Sequence, residues 1–181
     1  MEALECLTTR RSCRAYSDRM PSREVLERIC EAGTYAPTGH GKQSPLIVAV
    51  TNKEMRDRLS AMNARVWNSL HPERIPSADF DPFYGAPVVL LVLADADVVT
   101  HMYDGCSVIA NLLNAAHACG LASCWIHRGK EEFESDEGRA LLHELGIEGH
   151  YVGVDHVILG YPAGPLPQAA PRKSDYVRWV S

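Results

Sequence analysis

The segment "PVVLLVLAD" (residues 87–95) restricts the fold more than any other part of this sequence. Apolar residues fill nearly every position of the run, so a β-strand built from it has two hydrophobic faces. Such a strand is shielded from water only in the interior of a sheet. We therefore predict a central strand over residues 87–95.

Local patterns elsewhere predict a mixture of strands and helices. Apolar runs predict further strands at 45–51, 121–127 and 152–161. Apolar residues at helical spacing predict helices at 2–8, 104–120 and 131–145. Two further helices are predicted to begin after Ser22 and Asn52, which suit the N-cap position. Residues 71–87 are rich in proline and predict an irregular loop. Because these elements do not follow a regular βαβ order, we predict an α+β fold.

Length and charge limit the class of protein. The 181 residues, 46% of them hydrophobic, can bury one sizeable core, and no linker-like stretch divides them, so we predict a single domain over 1–181. The net charge of −5 argues against general nucleic-acid binding, which requires a basic surface. The sequence shows neither an apolar signal segment nor a membrane-spanning run, so we expect a soluble, cytoplasmic protein with no membrane partner.

The six cysteines do not form a recognisable metal or disulfide framework. No CxxC pair is present, and the expected intracellular location disfavours disulfides. We expect them to act mainly as small apolar residues. Cys124 and His127 could supply two metal ligands, but further ligands would have to come from elsewhere in the chain.

The segment "APTGHGKQSP" (36–45) resembles a phosphate-binding P-loop, which would indicate a nucleotide hydrolase. Gln43 follows Lys42 where a P-loop has the Ser or Thr that binds magnesium. The order is also reversed, since a predicted helix precedes the segment and a predicted strand follows it. We therefore reject the P-loop and predict a turn from which Lys42 and Gln43 project.

The segment "TTRRSCRAY" (8–16) concentrates positive charge after the first predicted helix. Arg10, Arg11 and Arg14 could together bind an anion, because guanidinium groups grip phosphate with two hydrogen bonds, and Ser12 could add another. The alternative is that the arginines only offset the dipole at the end of the helix. Arg172, near the C-terminus, would join the same anion if the tail folds back on its own subunit or a neighbouring one.

Two features indicate a dimer. Helix 104–120 is apolar on nearly all sides, and its alanines would allow another helix to approach closely. Residues 162–181 contain four prolines and then "DYVRWV", which has strand composition but no evident partner within the domain. The alternative is a monomer that covers both features itself.

Four segments together resemble the FMN-dependent nitroreductases. They are "RRSCRAY", "APTGHGKQSP", "NLLNAAHACGLASCW" and "ILGYPAG" followed by "PRK", in the order typical of that family. The resemblance implies a three-layer sandwich with a mixed central sheet flanked by helices. It also implies a homodimer that exchanges its C-terminal arms, residues 162–181, with FMN at the subunit interface.

The resemblance also implies where the cofactor lies. Arg10, Arg11, Ser12 and Arg14 are expected to hold the FMN phosphate and ribityl chain, and Arg172 to close on the phosphate. Further contacts to the ring or ribityl are expected from Lys42, Gln43, Asn63 and the segment Ile126, His127, Arg128, whose backbone amides approach flavin N5. Gly41 stands where the family often has Asn, and Ser44-Pro45 where it has Pro-Trp or similar, so one flavin hydrogen bond is expected to be lost or replaced.

The implied function is reduction of small electron acceptors, such as nitroaromatics or quinones, with NADH or NADPH as reductant. The flavin carries the redox chemistry, so no catalytic side chain is expected, and one open flavin face predicts ping-pong kinetics. Alternatives are a protein that stores or senses FMN without turnover, and a relative with another flavin reaction. The sequence does not choose between NADH and NADPH.

Overall fold

The computed structural model describes residues 1–74 and 80–181, and part of the predicted 71–87 loop lies outside these ranges. The helices and strands follow the chain in this order: α1 (Ala3–Thr9), α2 (Arg23–Thr34), β1 (Pro45–Val50), α3 (Lys53–Leu70), β2 (Val88–Asp95), α4 (His101–Ala118), β3 (Ala122–Ile126), α5 (Gly129–Glu134), α6 (Asp136–Glu144) and β4 (Tyr151–Gly160). A short 3-10 turn, Gly39–Gly41, precedes β1.

The four strands form one sheet in the order β1-β2-β4-β3. The residues of β2 from Val88 to Ala94 are fully buried, which confirms the predicted central strand. The neighbouring strands pair antiparallel throughout, and within the described residues parallel pairing is limited to a single bridge between Ser12 and Ser123. The α+β class is confirmed. The expected mixed sheet is almost entirely antiparallel in the described residues, and its only parallel pairing is the Ser12–Ser123 bridge.

Helices cover both faces of the sheet, as the two-faced β2 requires. Alternate residues of β2 enter two different cores. Leu90 and Val92 pack in the core under α2 and α4, whereas Leu91 and Leu93 pack in the core under α3, α5 and α6. The result is the expected three-layer arrangement.

Local sequence explains most of the element boundaries. Ser22 and Asn52 cap α2 and α3 by accepting hydrogen bonds from the backbone three residues ahead, as predicted. The predicted helix 131–145 is wrong as a single element, because it divides at Ser135. The Ser135 hydroxyl caps α6 by accepting from the Gly138 amide, and this break lets α6 pack back against α5.

Helix α4 and the tail 162–181, the two features that indicated a dimer, both leave apolar side chains exposed in the single chain. Helix α4 begins at His101 rather than 104, and it is not buried all round, because Tyr103 and Ala110 are exposed. The tail starts beside the segment 8–16, where Ala163 N–H donates to the Ala15 carbonyl at 3.0 Å. Beyond that contact "DYVRWV" forms no strand, and Trp179 is 92% exposed. None of the helices within the described ranges is long and apolar enough to span a membrane.

Candidate cofactor site along strand β3

The arginine segment, residues 10–14, is docked through its backbone on the edge strand β3. Ser12 forms the parallel bridge to Ser123, and Cys13 N–H donates to the Ser123 carbonyl at 3.0 Å. Just upstream, Thr9 Oγ1 lies 2.9 Å from His117 Nε2 near the end of α4. Because the single hydroxyl proton of Thr9 is donated to the Glu5 carbonyl at 2.7 Å, the His117 ring must be the donor to Thr9.

The three guanidinium groups of this segment have different surroundings. Arg11 Nη1 donates to the carbonyls of Thr8 (2.8 Å) and Arg10 (2.7 Å), so Arg11 satisfies the end of α1, as the helix-dipole alternative requires. Arg10 Nη1 is buried with no hydrogen-bond partner in the described chain, and Arg14 is exposed. A buried cationic donor without an acceptor is costly, so Arg10 fits an anion site.

The positive charge of the arginine segment affects the pKa of the neighbouring His117. Burial lowers the pKa of His117, and the positive charges of Arg10 and Arg11 lower it further. Burial and the two guanidinium groups together therefore disfavour protonation of the His117 ring beside the arginine segment.

The turn before β1 is organised by a buried carboxylate, Asp104. It accepts hydrogen bonds from Gly39 N–H (2.9 Å), Ser44 Oγ (2.8 Å) and Thr100 Oγ1 (3.0 Å). Burial acts to raise the pKa of Asp104, but these hydrogen bonds outweigh burial and hold the pKa below its usual range. The anchored turn leaves Lys42 and Gln43 exposed.

The turn after β3, residues 126–129, is anchored from one side by Asp155 of β4. This buried carboxylate accepts from Trp125 Nε1 (2.6 Å) and from Gly129 N–H (3.1 Å), and it lies 3.0 Å from His127 Nδ1. Gly129 is required by close packing, since a Cβ there would lie 2.6 Å from Asp155 Cα.

Strand β4 carries an irregularity opposite Val92 and Leu93, and such bulges are common beside functional sites.

From the other side the same turn is anchored by Asn63 of α3, which is fully buried. Its Nδ2 donates to the His127 carbonyl at 2.9 Å and also to Glu132. Its Oδ1 accepts from Arg128 Nε (3.0 Å) and Nη2 (2.7 Å). The predicted contact of Asn63 with the flavin pyrimidine edge is therefore not supported by the position of its side chain, whose donors and acceptor are occupied within the protein.

Beneath Asn63 lies a buried pair, Glu132 and His156. His156 Nε2 is 3.0 Å from Glu132 Oε2, and neither side chain is exposed to solvent. Burial lowers the pKa of Arg128, whereas the carboxylates of Glu132 and Asp155 act in the opposite direction. The turn thus rests on a connected polar network.

The predicted site residues fall mainly into three groups: the arginine segment, the turn after β3, and the pair Lys42 and Gln43. Strand β3 brings the first two of these groups together. The arginine segment meets β3 at Ser123, and the turn begins at Ile126, about 10 Å further along the strand. Lys42 and Gln43 precede β1, the opposite edge of the sheet, about 14 Å across from β3. Among the described residues, the Arg172 side chain forms hydrogen bonds only with the Ala170 carbonyl.

Sequence reasoning missed several residues that shape the site, namely Asp104, His117, Glu132, Asp155 and His156. A signal was present for three of them. Asp155 and His156 interrupt an otherwise apolar core strand, and Asp104 opens an apolar helix. Buried polar residues in such positions require partners, and their partners belong to the site. The described residues contain no cluster of His, Cys, Asp or Glu suited to a metal ion.

Known proteins are similar to this chain in both sequence and fold. The model of the nitroreductase family matches residues 7–161. A protein from Archaeoglobus fulgidus, assigned as an NADH dehydrogenase/NAD(P)H nitroreductase, is 31% identical over 166 residues, covering 89% of this chain and 86% of its own length. A crystal structure of a nitroreductase with bound FMN from Bacteroides fragilis is 31% identical, covers 100% of both chains and superposes with a TM-score of 0.87. A second FMN-bound nitroreductase structure, from Desulfitobacterium hafniense, is 24% identical and shares the fold, with a TM-score of 0.84.

Proposed function

This chain belongs to the nitroreductase family, and from that premise we propose that it is a cytoplasmic FMN-dependent oxidoreductase. It takes electrons from NADH or NADPH and reduces small acceptors such as nitroaromatics and quinones by a ping-pong mechanism. The observation that carries the proposal is the buried, unpartnered Nη1 of Arg10, in a segment docked on the same strand as the turn 126–129.

The residues along β3 suit FMN in charge and in their positions along the strand. Arg10 offers a cationic donor that lacks an acceptor, and Arg14 and the Ser12 hydroxyl lie in the same segment. These groups would hold the phosphate and the ribityl chain. At the other end of β3 the backbone of His127 and Arg128 would lie along the ring, next to the buried Ile126.

FMN, when bound, supplies the hydride chemistry that the side chains lack. The protein orients the cofactor and leaves one face accessible to reductant and acceptor in turn. The N–H groups of His127 and Arg128, which have no acceptor in the described chain, would contribute fixed dipoles without reorganisation, because Asn63 and Asp155 hold the turn that carries them.

The proposal includes a homodimer, because one chain leaves the site incomplete. Lys42 and Gln43 lie at the sheet edge opposite the arginine segment, so a second copy must supply them if they line the same flavin. The arm 162–181, which includes Arg172, would likewise reach the partner. The exposed Tyr103 and Ala110 of α4 offer a surface for that contact.

The first test is the visible absorption spectrum of the purified protein, followed by chromatography of the released cofactor. A yellow protein that releases FMN is the expected result. A protein that stays colourless after incubation with FMN would contradict the proposal, and the arginine segment would then require another anion.

The second test separates an enzyme from a storage or sensing protein. Oxidation of NADH and NADPH is followed with and without a nitroaromatic or a quinone. We expect acceptor-dependent turnover with parallel double-reciprocal plots, as ping-pong kinetics require. FMN bound stoichiometrically without turnover on any acceptor would favour storage, and product analysis would identify a different flavin reaction.

A further inference from the structure

We propose that Asn63 is a positioning residue that turns the peptide between His127 and Arg128 so that the Arg128 N–H faces flavin N5. The inference rests on the proposed function, because it assumes FMN along β3. It assigns to Asn63 an indirect task in place of the direct flavin contact that the family resemblance implied.

The orientation of this peptide follows from one hydrogen bond. Asn63 Nδ2 donates to the His127 carbonyl at 2.9 Å and so draws that oxygen toward the buried side of the turn. No described peptide bond is cis, and in a trans peptide the carbonyl and the following N–H point in opposite directions. The Arg128 N–H therefore points away from Asn63.

This N–H is available for a ligand, whereas the next one is not. In the described part of the chain the Arg128 N–H has no backbone acceptor. Gly129 N–H, one residue later, is committed to Asp155 Oδ1 at 3.1 Å. The two anchors thus hold the turn from both sides and leave the N–H groups of His127 and Arg128 without an acceptor in the described chain; of these, the Arg128 N–H is the one whose peptide Asn63 orients.

The backbone at Arg128 is held in an unusual conformation. Its φ of 86° lies in the left-handed region, which a residue with a side chain adopts at a cost of about 1 to 3 kcal/mol. Asn63 Oδ1 compensates by accepting from both Nε and Nη2 of the Arg128 side chain. Strain kept in place by surrounding contacts is typical of functional sites.

The Asn63 amide can do this because it is itself fully satisfied. Its two protons go to His127 and Glu132, and its oxygen receives two bonds from Arg128. Glu132 is in turn held by His156 at 3.0 Å. A chain of buried polar groups therefore connects the sheet to the peptide between His127 and Arg128.

The first experiment needs no mutation. The 15N-labelled protein is freed of flavin and titrated with FMN, and the backbone amide resonances of Arg128 and Gly129 are compared. We expect a large shift for Arg128 and a smaller one for Gly129, whose donor is already occupied. If Gly129 shifts as much as Arg128, or if Arg128 does not shift, the inference is overturned.

The second experiment compares Asn63→Ala with Asn111→Ala. Asn111 is a matched control, because its Nδ2 also donates to a backbone carbonyl, that of Ala32 at 3.1 Å, on the other side of the sheet. Each variant is loaded with FMN labelled with 15N at N5. A pyridine-type nitrogen resonates downfield when it loses a hydrogen bond, so we expect a downfield N5 shift in Asn63→Ala and none in Asn111→Ala.

The outcomes separate this inference from the proposed function. Wild-type protein that binds no FMN contradicts the proposed function and this inference together. FMN-bound Asn63→Ala with an unchanged N5 resonance overturns only the role of Asn63. If Asn63→Ala does not fold, Asn63→Asp takes its place, because it keeps the shape of the side chain and replaces the Nδ2 donor by an oxygen; an unchanged N5 resonance in that variant overturns the role of Asn63.

Discussion

The two ends of strand β3 are built in opposite ways. At the Ser123 end the arginine segment is docked through backbone hydrogen bonds, and the Arg10 guanidinium keeps a buried donor unpaired. At the Ile126 end the turn is held by buried side chains whose polar groups are largely matched, among them Asn63 and Asp155. Unpaired groups occur at both ends, since His156 Nδ1 beneath the turn is also buried without a partner in the described chain, but the unpaired group at the Ser123 end is a cationic donor.

The difference separates two tasks. An anion site contains charged donors that are unpaired in the absence of ligand, because the anion itself accepts their hydrogen bonds on binding. A backbone donor aimed at a flat ring must be held in place beforehand, which requires a satisfied network beneath it. We therefore expect mutations at the turn to reduce stability, and mutations at the arginine segment to reduce cofactor affinity.

Glu132→Ala should give the largest effect, because it removes the centre of the network under the turn. His156 and Asn63 would each lose a buried partner, and we expect the free energy of unfolding to fall by about 3 to 5 kcal/mol. Urea denaturation of the cofactor-free protein measures this.

The control for that experiment is Glu137→Ala, which removes an exposed carboxylate paired with Arg65 at 2.5 Å. A surface pair of this kind contributes at most about 1 kcal/mol. Similar losses in the two variants would show that the network under the turn carries no special weight.

Arg10→Ala should reverse the pattern, with little loss of stability and a large loss of FMN affinity. A charge-assisted hydrogen bond contributes about 1.5 to 3 kcal/mol, so we expect the Kd for FMN to rise roughly 10- to 150-fold. Fluorescence titration gives the Kd, with Arg23→Ala as control, since Arg23 forms an exposed pair with Glu27. Unchanged affinity would remove Arg10 from the site.

A change at Asp104 tests the turn before β1, which is also held by a buried carboxylate. We expect its loss to reduce stability, as at the turn after β3. Asp104→Asn replaces an acceptor of three hydrogen bonds, and we expect a loss of about 1 to 3 kcal/mol of stability at neutral pH. Equilibrium unfolding at pH 7 provides the measurement.

The pH dependence of Asp104 follows from its lowered pKa. A carboxyl with a lower pKa in the folded state stabilises the protein above its unfolded pKa of about 3.9, and loses that contribution as pH falls through the folded value. The wild-type protein should therefore lose more stability than Asp104→Asn on acidification below about pH 4. Parallel pH profiles for the two proteins would contradict this role.

Arg172→Ala should have the smallest effect. Its side chain is exposed and bonds only to its own segment in the described chain, so a contact with the flavin phosphate would depend on the partner's arm. We expect FMN affinity to fall by at most about fivefold, as for a contact at a solvent-exposed rim. A loss as large as that of Arg10→Ala would place Arg172 at the centre of the anion site.

Much of this molecule could be predicted from local sequence patterns. The hydrophobic run 87–95 predicted the central strand, and Ser22 and Asn52 predicted where two helices begin. The arginine segment and the turn 126–128 were predicted as site residues, and the structure places both along β3. Such features depend on neighbouring residues, and neighbours in sequence remain neighbours in space.

The tertiary structure alone decided how the polar residues are paired. Asn63 and His127 are 64 residues apart, and Asp104 and Gly39 are 65 apart, so no periodicity links them. The exposed peptide of the turn likewise takes its orientation from a helix that precedes it by more than fifty residues. Sequence by itself determined where most of the helices and strands lie, because burial of apolar faces is a local pattern. Only folding decided which buried polar group satisfies which, because hydrogen bonds depend on distances that the chain acquires when it is packed.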